Sequence, residues 1–198
     1  MVADQIRGRG VRDERVLDAM LKVPRERFLP EAAQAAAHED RPVSIGFGQT
    51  ISQPYIVGYM TEALKLEASH RVLEIGTGCG YQTAMLAELA REVFSIELIP
   101  ELAERARRTL ADLGYGNVRI RTGDGYAGWP EHAPFDRIIG AAAAAAVPRA
   151  LVEQLTDDGM LVMPIGTVNQ ELLVLQKRGE RLETLATLPV RFVPMVKG

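Results

Sequence analysis

Glycine occupies positions 76, 78 and 80, directly after the apolar run Val72-Leu73-Glu74-Ile75, and a carboxylate, Glu97, stands 21 residues beyond Gly76. Glycine has no Cβ, so the backbone there can turn sharply and come close to a ligand. A helical pattern from Gln82 to Ala90 follows at once, and its first N–H groups face whatever lies in the turn. An acid about 20 residues after such a turn is placed to hold a ribose diol. The order Gly-Thr-Gly-Cys-Gly matches neither the dinucleotide fingerprint nor the phosphate loop, and no Lys-Ser or Lys-Thr follows it. A ribose-holding acid without a pyrophosphate loop points to a nucleoside that lacks a phosphate chain. S-adenosyl-L-methionine answers that description. The competing reading is a tight strand–helix turn with a surface glutamate. Strand, glycine turn, helix, strand and terminal acid within one short unit favour the cradle.

With a sulfonium donor the chemistry is methyl transfer. A carboxylate acceptor, with a reference pKa of about 4, is already ionised at neutral pH and needs no general base. Opposite charges cancel as the methyl moves, so a dry site speeds the step, and alignment of donor and acceptor supplies much of the rest. His38, His70 and His132 show no triad or metal spacing and read as surface or loop residues, so no metal is expected. Amino-group methyltransferases often carry Asn/Asp-Pro-Pro-Tyr/Phe after the fourth strand. Here that slot reads Gly140 and then six alanines, Ala141 to Ala146, which counts against a nucleic-acid or glutamine amine as acceptor. Ser52 can donate to an acceptor carboxylate or cap the helix that opens at Pro54, and residue type alone favours the cap. Asp124, between Gly123 and Gly125, can accept from an adenine amino group or bind its own backbone in a turn. Tyr126, Trp129 and the methionines read as packing residues.

The chain has 198 residues, which suits one domain with one sizeable core. Its 47% hydrophobic and 25% charged residues place it among soluble globular proteins. A net charge of −3 gives no non-specific attraction to nucleic acid or anionic membrane, so neither is expected as a partner. The lone cysteine, Cys79, excludes an internal disulfide and fits a reducing compartment. No apolar run approaches a membrane span, and the first residues lack the regions of a signal peptide. The expectation is a cytoplasmic monomer.

These residues need elements to hold them. Residues 1–10 show no apolar period and are expected to be loose. Asp13 caps a helix with Val16, Met20 and Val23 on one face, ended by Pro24. A short helix is expected over Glu31 to Ala37, then an irregular but packed stretch from Arg41 to Pro54. A helix runs from Pro54 to about Leu66 and feeds the strand at Val72. Val93 to Glu97 is the second strand, followed by a helix from Pro100 that ends at Gly114. Val118 to Arg121, Phe135 to Ile139 and Met160 to Ile165 read as further strands, with a helix near Pro148 to Leu155. Glu171 to Lys177 and Leu182 to Leu185 read as an antiparallel pair about Gly179, and Val190 to Pro194 as an edge strand or extended segment. The alternation from 71 to 165 predicts an α/β fold. It is a doubly wound, mostly parallel sheet of Rossmann-like kind, with N-terminal helices and an antiparallel C-terminal strand pair. We expect a single domain with a substrate-side segment (1–66), a cofactor core (71–166) and C-terminal strands (167–198). Ligands of such sheets lie at the carboxyl ends of the strands, where the Gly76 turn, Glu97, Asp124 and the alanine run all fall.

Almost the whole chain, from Val16 to Pro194, resembles the protein-L-isoaspartate O-methyltransferases. The resemblance rests on Val23-Pro24-Arg25-Glu26-Arg27-Phe28, Gly48-Gln49-Thr50-Ile51-Ser52-Gln53-Pro54-Tyr55, the segment Val72 to Ala84, Gly123-Asp124-Gly125, Gly159 to Gly166 and Arg191-Phe192-Val193-Pro194. The Gln-Thr-Ile-Ser-Gln-Pro stretch is specific to that family, whereas the glycine turn is shared with many methyltransferases. The resemblance implies a repair enzyme that methylates the α-carboxyl of L-isoaspartyl residues in damaged proteins and peptides. The ester then closes to a succinimide, and the cofactor leaves as S-adenosyl-L-homocysteine. It also implies that Ser52 is the active-site serine, that Glu97 binds ribose with Leu98 beside it, and that Gly123, Asp124 and Gly125 face the adenine. Gly76 and Gly78 fall to the methionine part, and Glu74 and Thr77 count among the cofactor-binding residues. Ile51, Gln53, Ala142 and Val193 join Ser52 along the substrate cleft. One departure stands out: the family usually reads Thr-Ala-Ala-Ala-Pro-Glu after the fourth strand, and here Ala141, Ala145 and Ala146 replace the threonine, proline and acid. This motivates one alternative, a carboxyl methyltransferase for an aspartate of one dedicated peptide or protein; a cofactor-binding homologue without catalysis is a separate alternative.

Overall fold

The protein is described by a computed structural model covering residues 1–198. Strand β3 (Arg71–Ile75) is buried from Val72 onward, as an apolar run must be when helices cover both faces of a sheet. Strand β4 (Glu92–Glu97) pairs parallel on one side of it, Leu73 opposite Phe94, and β6 (Phe135–Gly140) pairs parallel on the other, Leu73 opposite Ile138. With β5 (Val118–Thr122), β7 (Leu155–Ile165), β8 (Gln170–Arg178) and β9 (Arg181–Val190), the sheet has seven strands in the order β5-β4-β3-β6-β7-β8-β9. The chain reverses direction of travel between β3 and β6, and such a switch point opens a crevice at the carboxyl ends of the strands.

Helix α3 (Tyr81–Leu89) buries six of its nine residues, while α4 (Pro100–Asp112) buries only the stripe Leu102, Ala103, Ala106 and Leu110. Helix α1 (Glu14–Lys22) begins at Asp13, whose side chain accepts the Arg15 N–H, and α2 (Pro54–Ala63) has proline in its first turn. Helix α5 (Arg149–Glu153) completes the set. No helix is long and apolar enough to cross a membrane.

The structure departs from the sequence reading at several ends. Residues 1–10 are not loose: Val2–Ile6 and Arg7–Arg9 form helical turns, and Ile6 is fully buried. The notch that receives it is Gly58 of α2, where a Cβ would stand 2.9 Å from Ile6 Cγ2. Glu31–Ala36 is a 3-10 rather than an α-helix. The stretch expected to be irregular holds a hairpin, β1 (Val43–Gly46) against β2 (Gln49–Ile51), with Val43 and Ile45 turned inward. Helix α2 stops at Ala63, and Lys65 turns the chain with a φ of 48°, yet Leu66 still reaches the core. Strand β7 starts at Leu155, before the expected Met160, through an irregularity in its pairing with β6. The expected antiparallel C-terminal pair is present as β8 and β9, and β8 runs antiparallel to β7 as well.

Candidate active site

The cradle lies where β3 ends. Gly76, Gly78 and Gly80 have φ of 92°, 56° and 93°, a region that side-chain-bearing residues rarely adopt. Gly76 N–H and Thr77 N–H donate to Ile96 O at 2.8 and 3.3 Å, which fastens the turn to the neighbouring strand. Glu97, at the end of β4, is only 6% exposed, and its Oε2 accepts Gly78 N–H at 2.7 Å while Oε1 accepts Ile99 N–H at 3.0 Å. Beneath the turn, Glu74 is completely buried. Its Oε2 accepts from Thr83 Oγ1 at 2.5 Å and from Ser95 Oγ at 2.6 Å, and Ser95 Oγ lies 2.6 Å from Thr77 Oγ1. Burial pushes the Glu74 carboxyl up to about 7, against the two hydroxyl donors that pull it down, with Glu97 adding a smaller upward push. Burial likewise pushes the Cys79 thiol up to about 11, so it stays protonated at neutral pH.

Above the cradle is a cavity of about 940 Å³. Its floor includes Gly76, Thr77 and Gly78, and one wall holds Glu97, Leu98, Gly123 and Gly125. Ile51, Ser52 and Gln53 line it from the segment joining β2 to α2. Ala142 faces it from the alanine run and Val193 from the chain after β9. The alanine run is held by its backbone: Ala143 N–H donates to Val193 O and its carbonyl accepts Met195 N–H, both at 2.8 Å, and Ala144 O accepts Gly166 N–H at 2.8 Å.

Two residues from the sequence reading stand elsewhere. Glu74 lies under the floor and not on it. Asp124 caps its own turn, Oδ1 accepting Tyr126 N–H at 2.8 Å, and only its glycine neighbours face the cavity. The reading of Ser52 as a cap is also overturned: the N-cap position of α2 is Gln53, no side chain caps the helix there, and Ser52 lines the cavity instead. Sequence reasoning passed over two residues that hold this segment, Arg25 and Asp40, and the wall formed by Leu188 to Phe192. The Pro24-Arg25 step after α1 was a visible signal, but nothing local to it names a partner 27 residues away.

A family model described as protein-L-isoaspartate(D-aspartate) O-methyltransferase matches residues 1–198. The chain belongs to this family. It is 52% identical over 199 residues to a protein-L-isoaspartate O-methyltransferase of Gloeobacter violaceus, covering 100% of this chain and 97% of that one. It is 55% identical over 195 residues to one from a Picosynechococcus species, covering 98% and 88%. Among solved structures, a protein-L-isoaspartate O-methyltransferase superposes with a TM-score of 0.88 at 31% identity, covering 95% of this chain and 62% of that longer chain. A Plasmodium falciparum protein described as a candidate protein-L-isoaspartate O-methyltransferase, in complex with S-adenosyl-L-homocysteine, gives 0.83 at 25% identity, with 100% and 97% covered. The family membership and these neighbours agree with a mostly parallel, Rossmann-like methyltransferase sheet.

Proposed function

We propose that this chain moves the methyl group of S-adenosyl-L-methionine to the α-carboxyl of L-isoaspartyl residues in damaged proteins and peptides. The observation that carries the reading is that the Ser52 segment and the glycine cradle open into one cavity. The residues fit the cofactor. Glu97 offers a carboxylate on a nearly closed wall beside apolar Leu98 and Ile99. At Gly125 a side chain would collide with Ile75 Cγ2, so that wall stays thin and smooth. Arg9 and Arg191 are the cations of the lining, and Arg9 is already paired with Asp40, so the site has little to neutralise a polyphosphate.

Bound there, S-adenosyl-L-methionine supplies an electrophilic methyl on a positive sulfur and leaves as S-adenosyl-L-homocysteine. Glu97 would hold the ribose hydroxyls, Leu98 with Gly123 and Gly125 would shape the adenine wall, and Gly76, Thr77 and Gly78 would receive the methionine end. Asp124 and Glu74 act from behind, one by fixing its turn and the other by bracing Thr77 through Ser95. Ser52 would donate its hydroxyl to one oxygen of the acceptor carboxylate and so orient the acceptor. Ile51, Gln53, Ala142 and Val193 line the acceptor side and keep water out. No histidine lines the cavity, which suits an acceptor that is ionised beforehand. The net charge of −3 favours action without nucleic acid or anionic membrane, and the single buried cysteine suits a reducing, cytoplasmic setting.

The test is transfer of labelled methyl to an isoaspartyl peptide and to its ordinary aspartyl twin. Labelling of the first alone is expected, and equal or absent labelling of both rejects the reading. Ser52→Ala is expected to lose turnover and keep cofactor affinity. In a lysate, label spread over many aged proteins is expected. Label confined to one protein favours the dedicated carboxyl methyltransferase that the departure in the alanine run motivates.

A further inference from the structure

We infer that Arg25 and Asp40 are positioning residues for Ser52, gripping the two flanks of its segment so that the hydroxyl keeps one place over the cradle. The inference rests on the reading of Ser52 as the acceptor-side residue. Ser52 lies between the end of β2 and the N-cap of α2, Gln53, whose carbonyl accepts Val57 N–H at 3.1 Å, so Ser52 itself belongs to neither the ladder nor the helix. On one flank Arg25, 1% exposed, donates from Nη2 to Ser52 O at 2.7 Å and from Nε to Ala37 O at 2.8 Å. Its guanidinium lies 4.6 Å from the ring centroid of Tyr81, the first residue of the helix that follows the glycine turn. Arg25 therefore ties the Ser52 carbonyl to the cradle's own helix. On the other flank Asp40 Oδ2 accepts from Gln53 Nε2 at 2.9 Å and Oδ1 from Tyr55 N–H at 3.2 Å. Asp40 O accepts from Gln53 Nε2 as well, at 3.0 Å. Arg9 Nη1 meets Asp40 Oδ2 at 2.7 Å, and its guanidinium covers the Tyr55 ring at 3.7 Å.

A buried guanidinium is a poor device for stability alone, since apolar residues of like volume often serve as well or better. Its planar fork reaches Ala37 O and Ser52 O from two different nitrogens held in one rigid plane, a geometry that the single nitrogen of a lysine does not reproduce. The test pairs turnover of an isoaspartyl peptide with calorimetric affinity for S-adenosyl-L-homocysteine in Arg25→Lys, Asp40→Ala, Asp40→Asn and Ser52→Ala. Misplacement of a positioned group by about 1 Å costs up to a hundredfold in rate, so R25K and D40A are expected to lose about ten- to a hundredfold in kcat. Their nucleoside affinity should stay within about twofold, and D40N, which keeps an acceptor for Tyr55 N–H, should recover part of the loss. In the S52A background D40A should cost nothing further, because residues that act as a unit are not additive. Full kcat in R25K and D40A, losses that multiply with S52A, or a parallel fall in nucleoside affinity would each overturn the inference. If S52A is inactive while R25K and D40A are fully active, only the positioning role fails. If S52A itself keeps full turnover, the reading of Ser52 fails and the inference goes with it.

Discussion

The side chain of Glu97 accepts the backbone N–H of Gly78 at 2.7 Å, so the acid at the end of one strand closes the turn at the end of the next. Its second oxygen holds Ile99 N–H. Glu97→Gln keeps one carbonyl oxygen for these two donors and turns an NH2 towards the other. Hydrogen bonds to a charged group contribute about 1.5–3 kcal/mol each, so S-adenosyl-L-homocysteine affinity should fall roughly ten- to a hundredfold. Calorimetry measures it, and an unchanged Kd would show that the carboxylate does not organise the cradle.

Glu74 makes stability depend on pH. Its carboxyl rises from an ordinary 4.5 to about 7 on folding, so the folded state binds the proton more tightly than the unfolded chain. That contribution is fully present below pH 4.5, shrinks as pH rises towards 7, and is gone above it. The span corresponds to about 3 kcal/mol. Glu74→Gln, which cannot ionise, should lack this slope. Urea unfolding at pH 5 and pH 8 should show the difference in stability between variant and parent moving by about 2–3 kcal/mol in favour of the variant at the higher pH. A constant difference would mean that Glu74 titrates as an ordinary carboxylate.

Gly125 sits between Ile75 and Met195, and an added Cβ would clash with Ile75 Cγ2 and stand 3.1 Å from Met195 Cε. Gly125→Ala should destabilise by about 1–3 kcal/mol, the usual range for overpacking, and weaken nucleoside binding as that wall shifts. Gly116 has open space around its would-be Cβ, so Gly116→Ala should be neutral or stabilise by up to about 1 kcal/mol. Thermal melts of the two variants decide the matter. Equal melting temperatures would show that Ile75 and Met195 yield without cost.

The parallel core was legible because its signals are local: an apolar run, a glycine turn and a helical period recur, and each predicts its own element. The hairpin was hidden because its strands are short and its turn puts Phe47 at a φ of 55° between two glycines, which reads as irregular sequence. The packing of Ile6 depends on a notch at Gly58, and no local pattern reports that meeting. Ser52 was ambiguous for the same reason. A hydroxyl before a proline-led helix looks like a cap, and only the long-range grip of Arg25 and Asp40 shows why the chain presents it to the cavity.

Residues 143 and 144 fasten the loop after β6 to both of its neighbours through main-chain atoms alone. Side chains at 145 and 146 point into solvent and carry none of that anchoring. This rim can accordingly drift in sequence, or be diversified in a library, while the scaffold keeps its shape. The exposed tip of this loop is thereby uncoupled from foldability, and changes there should leave the cavity lining at Ala141 and Ala142 intact.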